Sequence, residues 1–121
     1  NWGELAYSEN GKPLIENGFI SVSHTKHLLL IAYESFPIGI DCEFDRPISD
    51  LLIKRLNLNP ANPLKDWCTL EAWIKLDDKP KHLTEAIPNH IIVESLELPY
   101  ACTCICASYQ KIKDIKVIKK D

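Results

Sequence analysis

Residues 19–43 read FISVSHTKHLLLIAYESFPIGIDCE, and residues 64–76 read LKDWCTLEAWIKL. The first stretch changes period twice, and the second carries a different one. Residues 19–24 alternate apolar and polar side chains, which predicts a half-buried strand. Residues 28–33 are a continuous apolar run, the length of a buried strand. Lys26 and His27 fall at the turn between the two. Pro37 then precedes a third strand, residues 38–43, that ends in acid. Short connections between the three predict an antiparallel arrangement. In residues 64–76 the apolar groups Leu64, Trp67, Leu70 and Ile74 fall three and four apart, with Glu71 beside Leu70, which is the helical period. Asp66 lies early and Lys75 late, matching the helix dipole.

Outward from these segments the pattern is simpler. Asn10-Gly11 and Asn17-Gly18 are turn signals, so residues 1–18 read as an irregular lead-in. Ser49 is placed to cap a short helix reaching about Asn57. Residues 59–63 form a breaker cluster, and residues 77–80 end the main helix. Residues 90–98 and 100–109 read as strands joined near Pro99, and residues 115–118 as an edge strand. The expected fold class is α+β, one antiparallel sheet packed against one main helix.

Composition bounds what such a domain can do. The 121 residues suffice for one modest domain, and 45% hydrophobic content predicts a folded chain. The net charge is -3, so a general nucleic-acid binder is disfavoured. Charge is uneven: residues 111–121 hold five Lys against two Asp, while the rest of the chain is acidic. That basic end reads as a solvated tail or a weak attractor of acidic partners. No apolar run approaches the ~20 residues of a membrane span. No secretory pattern opens the chain as given, so the expected location is cytoplasmic. Five cysteines are present. Cys102, Cys104 and Cys106 alternate along one strand, which predicts a thiol-lined core face, not a zinc knuckle or a disulfide scaffold.

Two clusters carry candidate chemistry. Asp41 and Glu43 are two apart on a strand and leave the same face. Paired carboxylates are the start of a hard-metal site, and Mg²⁺ takes such ligands together with waters and phosphates. Glu71 on the helix is the candidate third carboxylate, one turn before Lys75. Taken alone, the paired acids fit a solvated surface equally well. Ser21, Ser23, His24 and Thr25 form the second cluster. It fits phosphate contacts through hydroxyl and imidazole donors, or a satisfied structural role. Gly11-Lys12-Pro13 adds a lysine beside a turn.

Taken in order, Gly11-Lys12-Pro13, Phe19-Ile20-Ser21-Val22-Ser23-His24-Thr25, Ile38-Gly39-Ile40-Asp41-Cys42-Glu43 and Trp67-Cys68-Thr69-Leu70-Glu71-Ala72-Trp73-Ile74-Lys75 resemble the 4'-phosphopantetheinyl transferase superfamily of the two-lobed kind. Its usual elements are GKP, FxxSHS/T, IGIDxE with Val alternatives, and WxxKEAxxK. The resemblance spans residues 11–75. It implies transfer of 4'-phosphopantetheine from coenzyme A to a serine of an acyl or peptidyl carrier protein. It implies Asp41, Glu43 and Glu71 as Mg²⁺ ligands, Glu71, Asp41 and Lys75 as catalytic groups, and Lys12, Pro13, Ser23, His24 and Lys75 as coenzyme A contacts.

The chain departs from the pattern at three points. Leu70 stands where the family carries a lysine. Residues 44–70 are a short span without a clear FxxxE element. Two-lobed members run to about twice this length. Starting at Asn1 without any Met, the chain reads as a member cut down at its start, with residues 1–18 a possible remnant of a first lobe and residues 19–121 the transferase-like domain. A homo-oligomer completing the site is a corresponding expectation. Two other readings stay open: a degenerate relative that binds coenzyme A or a carrier protein without turnover, and a structural or interaction domain.

Overall fold

The computed structural model describes residues 3–26, 28–79, 86–112 and 115–119; His27 lies outside the described residues. The elements in chain order are β1 (Leu5–Tyr7), β2 (Pro13–Ile15), β3 (Phe19–Thr25), β4 (Leu28–Glu34), β5 (Ile38–Phe44), α1 (Asp50–Leu56), α2 (Pro63–Asp77), β6 (Ile92–Ser95), β7 (Cys102–Ser108) and β8 (Ile115–Lys119). The fold is a mixed α+β arrangement of antiparallel sheets with one long helix.

Three sheets form among the described residues where one was expected. The lead-in is not irregular: β1 and β2 pair as a hairpin, closed by a turn in which Lys12 O accepts from Ser8 N–H. Gly11 supplies the positive φ of 87° that this turn needs. β3 and β4 pair as predicted, with β8 on the far edge of β4. β5 departs from the expectation. It leaves β4 and pairs with β7, and β6 completes that second sheet.

The physical reason lies on the β3 side of β5. The Ile40 N–H donates to Ser21 Oγ at 3.0 Å, and the Cys42 N–H to Ser23 Oγ at 2.9 Å. Hydroxyls take the place of a backbone ladder there. Both serines are buried, so these bonds satisfy donors that water does not reach. They join the two three-stranded sheets without merging them.

Strand periodicity then sorts β5 and β7 between two cores. Ile38, Ile40 and Cys42 cluster with Leu28, Leu30 and Ala32 of β4 and with Cys104 and Cys106 of β7. The alternate residues of β7, Ile105 and Ala107, join Leu64, Cys68, Leu70, Ala72, Trp73 and Leu76 of α2. The thiol face predicted for Cys104 and Cys106 is therefore a core face, and all five cysteines are free. Burial pushes the Cys106 thiol up to about 12, which keeps it protonated and unreactive at neutral pH.

The helices follow their local signals. Ser49 Oγ accepts from the Leu52 N–H at 3.2 Å, and Asn57 closes α1 in the left-handed region. Pro63 opens α2 at a position where a missing N–H costs nothing. Asp78 ends α2, also left-handed. The buried face of α2 differs in detail from the predicted one. Leu64, Cys68, Ala72 and Leu76 form an i, i+4 row, while Trp67 and Ile74 are only half-buried.

Gly39 sets how closely α2 approaches the sheet. A Cβ at this position would meet Ala72 O at 2.0 Å and Leu76 N at 2.5 Å. Both are helix backbone atoms and have no rotamer to yield. Gly39→Ala is expected to destabilise the fold by about 3 kcal/mol through forced overpacking. A denaturant midpoint equal to that of the parent would refute this close approach. Ser23→Ala removes the acceptor of a buried N–H and is expected to cost ~1–3 kcal/mol, whereas Ser23→Thr, which keeps the hydroxyl, recovers part of it. Equal midpoints for the Ala and Thr variants would show that the hydroxyl bridge contributes nothing.

Candidate active site: a carboxylate cluster beside a lysine-lined cleft

The alternation that buries Ile38, Ile40 and Cys42 on one face of β5 leaves Gly39, Asp41 and Glu43 for the other. On that face the glycine admits α2, so Asp41 comes to lie against the second half of the helix. Lys75 Nζ donates to Asp41 Oδ1 at 3.2 Å. It also donates to Ile40 O at 2.9 Å and Val22 O at 3.2 Å. An ammonium has three donors, and here three acceptors from β3 and β5 take them.

Asp41 is 8% exposed. Burial is the main force holding its carboxyl above the ordinary carboxylate range; Lys75 pulls it down, and Glu43 pushes it further up. Its second oxygen, Oδ2, is buried without a hydrogen-bond partner. The Cys68 thiol is near enough to Asp41 to help hold its charge. The same thiol is 3.7 Å from Thr103 O, so two acceptors compete for its one proton. Asp41 thus carries half of a satisfied carboxylate.

Glu71 stands half-buried on α2, one turn before Lys75. Burial raises its carboxyl first, and the negative charges of Asp41 and then Glu43 raise it too, against the pull of Lys75. The three carboxylates singled out in the sequence therefore share one electrostatic field. Glu43 is half-buried, and its Oε1 accepts from Arg46 Nη2 at 3.0 Å. Its side chain is 25% exposed, so this pair adds little stability. As placed, no group of three or more His, Cys, Asp or Glu side chains among the described residues is gathered to hold a metal ion.

The donor chemistry nonetheless suits a hard divalent cation. All three groups are oxygen donors, their charges repel, and one buried oxygen is unpaired. Asp41, Glu43 and Glu71 are the residues that would hold such an ion. Lys75 on Asp41 Oδ1 and Arg46 on Glu43 Oε1 are the cations that the structure places against these carboxylates.

Beside the cluster lies a cleft of ≈ 540 Å³ between the first hairpin, β3 and the end of α2. Gly11, Lys12, Pro13, Ser21, Lys75 and Lys79 line it. Lys12 reaches inward from the hairpin: its Nζ donates to Lys75 O at 2.7 Å and to Ile38 O at 3.0 Å. Burial lowers its pKa to about 8, with Asp78 opposing and Lys75 reinforcing the shift. It remains mostly charged at neutral pH and anchors the hairpin across the ends of β5 and α2.

The other predicted residues divide. Pro13 lines the cleft with Lys12. Ser23 is buried and its hydroxyl accepts the Cys42 N–H, so it serves the sheet junction. His24 is exposed on β3 and is not among the residues lining the cleft. Ser21, read in the sequence as part of the hydroxyl cluster but not as a coenzyme A contact, and Lys79, not singled out there, both line it. The signal for Ser21 was strand parity, shared with Ser23, and that alone does not separate two serines on one face. Leu70, where the resemblance expects a lysine, is 7% exposed and belongs to the helix core. In comparisons with known proteins, no family model matches the chain, and no curated protein matches it as a relative. No helix among the described residues is long and apolar enough to cross a membrane.

The raised Glu71 carboxyl has a measurable consequence. A carboxyl raised on folding contributes favourably below its unfolded value of ~4.3. That contribution is lost as pH rises through the folded value. Glu71→Gln has no such loss. The variant should match the parent near pH 3.5 and be the more stable of the two at pH 7.5, in unfolding without divalent cations. A stability difference that is the same at both pH values would show that Glu71 feels no repulsive field.

Proposed function

We propose that the chain is a Mg²⁺-dependent transferase that moves 4'-phosphopantetheine from coenzyme A to a serine hydroxyl of an acyl or peptidyl carrier protein. The observation that carries this reading is the junction at Lys75. One side chain borders both a field of three carboxylates and a cleft lined by lysines. A cleft with Lys12, Lys75 and Lys79 against one acid, Asp78, suits a phosphate-rich ligand, and the carboxylates suit the cation that accompanies phosphoryl transfer. The four sequence elements of the resemblance supply the reaction class.

In this mechanism the serine oxygen of the carrier attacks the phosphorus next to the pantetheine arm. A new P–O bond forms to serine, the pyrophosphate P–O bond breaks, and 3',5'-ADP leaves. Glu71 takes the serine proton. Lys75 offers a point charge to the phosphate, and Lys12 holds the first hairpin against β5 and α2 so that Gly11 and Pro13 form the cleft wall. Bound Mg²⁺ would supply charge neutralisation for the pyrophosphate.

A second reading has its own support. Leu70 lies in the core where the resemblance expects a cation, and every donor of Lys75 is already engaged. Both facts fit a relative that binds coenzyme A or a carrier protein without turnover.

Incubation with coenzyme A, Mg²⁺ and several apo carrier proteins separates the two. A transferase adds the mass of one phosphopantetheine arm to the carrier, seen by intact-mass spectrometry. Asp41→Ala should abolish the gain, and Glu71→Gln should slow it by ~10²-fold or more. No mass gain on any carrier, together with retained binding of coenzyme A, would favour the binding module. An undiminished rate in Glu71→Gln would remove Glu71 from the role of base.

A further inference from the structure

Two lysines meet at the cleft and are held in opposite ways. Lys75 donates to three acceptors, one of them the Asp41 carboxylate, a set that matches the three N–H bonds and the charge of an ammonium. Lys12 donates to two, Lys75 O at 2.7 Å and Ile38 O at 3.0 Å, and both are neutral carbonyls. Neither ion pair found among the described residues, Arg46–Glu43 or Lys75–Asp41, includes it. Two neutral acceptors match the two N–H bonds of a neutral amine and leave the nitrogen lone pair unused. The setting favours that form. Lys12 is half-buried at the cleft wall, which Lys75 and Lys79 also line. Burial and a neighbouring cation are two means by which a lysine becomes a nucleophile. Asp78 opposes the effect, and β3 brings only the uncharged Ser21 and Val22 to the cleft. With its pKa at about 8, roughly a quarter of Lys12 side chains are neutral at pH 7.5, against about one in a thousand for an ordinary lysine.

We infer that Lys12 is a modification site, an amine that takes an acyl group from a small acyl phosphate drawn into the cleft. The Lys12 nitrogen attacks the carbonyl carbon of the donor. An N–C bond forms, the C–O bond to phosphate breaks, and inorganic phosphate leaves with the proton that the nitrogen sheds. The donor class follows from charge: Lys75 and Lys79 against Asp78 attract a phosphate dianion.

Acylation also alters the cleft. An amide nitrogen carries one hydrogen, so it serves one carbonyl where the amine served two. Ile38 O or Lys75 O then loses its donor, and the tip of the first hairpin loses one of its ties across β5 and α2. Asn10 Nδ2, donating to Asp78 O at 2.8 Å, remains as another. Acylation of Lys12 therefore loosens the hairpin wall of the cleft. The inference needs only the cleft and the hairpin and stands apart from the transferase reading.

The test treats the full chain with acetyl phosphate at pH 7.5 and follows acetylation lysine by lysine by peptide mass spectrometry. Lys54 and Lys65, exposed on α1 and α2, serve as internal references. Lys12 should react about 10-fold faster than either, the larger neutral fraction being partly offset by lower basicity. Unfolding in urea should erase the advantage. N-acetoxysuccinimide, an uncharged acetyl donor, should prefer Lys12 less strongly than acetyl phosphate does. Backbone hydrogen exchange over residues 5–15 should quicken once Lys12 is acetylated, and Lys12→Arg treated alike should show no change. A Lys12 rate no greater than that of Lys54 and Lys65 would overturn the proposal, and so would an advantage that survives in urea. Equal preference with both donors would remove the acyl phosphate as the donor class. Hydrogen exchange over residues 5–15 that is unmoved by acetylation of Lys12 would refute the loosening.

Discussion

The close approach of α2 to β5 at Gly39 is the constraint on which the rest of the structure depends. A hydrogen in place of a side chain lets the helix backbone settle on the strand at a distance no Cβ permits. Ala72, fully buried at the contact, keeps the opposing surface small. The next residue on that face of β5 is Asp41, and the turns of α2 flanking Ala72 carry Glu71 and Lys75. A packing contact between two small residues thereby places an acid on a strand within reach of a lysine on a helix. The same contact stacks Leu64, Cys68 and Leu76 over Ile105 and Ala107. The apolar burial that stabilises the domain and the polar geometry of the site share one origin.

Polar bonds stitch what apolar packing leaves apart. Between the two three-stranded sheets, serine hydroxyls and the Lys75 ammonium bond to backbone groups of β3 and β5 in place of a continuous ladder. Lys12 adds a bond from the hairpin to β5 and another to the end of α2. A partly buried lysine is costly unless its donors are used, and the donors of Lys75 are. These residue types looked like ligand contacts in the sequence. In the fold they first satisfy backbone groups, and the cleft is bordered by the same side chains.

Much of this was legible beforehand. The helical period located α2 to within a residue at each end, because apolar spacing, Pro63 and Asp78 agree. Ser49 and Asn57 marked α1 through capping chemistry alone. Strand existence followed from alternation in residues 19–24 and from the apolar run at 28–33. Strand neighbours did not. Period two says which residues share a face and nothing about which edge pairs with which, so β5 was placed beside β4 when its ladder lies with β7. The hairpin of residues 5–15 was hidden because its strands are three residues long and mostly exposed, leaving no alternation to read. The nearness of Asp41, Glu43, Glu71 and Lys75 to one another was legible through strand parity and helical turn. Ser23 was assigned to a ligand because a hydroxyl looks the same in a sequence whether it meets a phosphate or a backbone N–H.

The energetics of the carboxylates bear on what they are for. Asp41 is buried with one oxygen unpaired, and Glu71 is raised by burial and by two like charges. A buried pair with one weak contact is poor value for stability, and uncharged residues of similar size would serve the fold at least as well. A purely structural account must therefore explain three separate costs: the orphaned oxygen, the like-charge repulsion and the desolvation of both acids. Lys75 offsets part of these costs, because its ammonium lies on Asp41 and pulls both the Asp41 and Glu71 carboxyls down. The ion pair is thus the chain's own partial answer to charges that the close packing at Gly39 brings together.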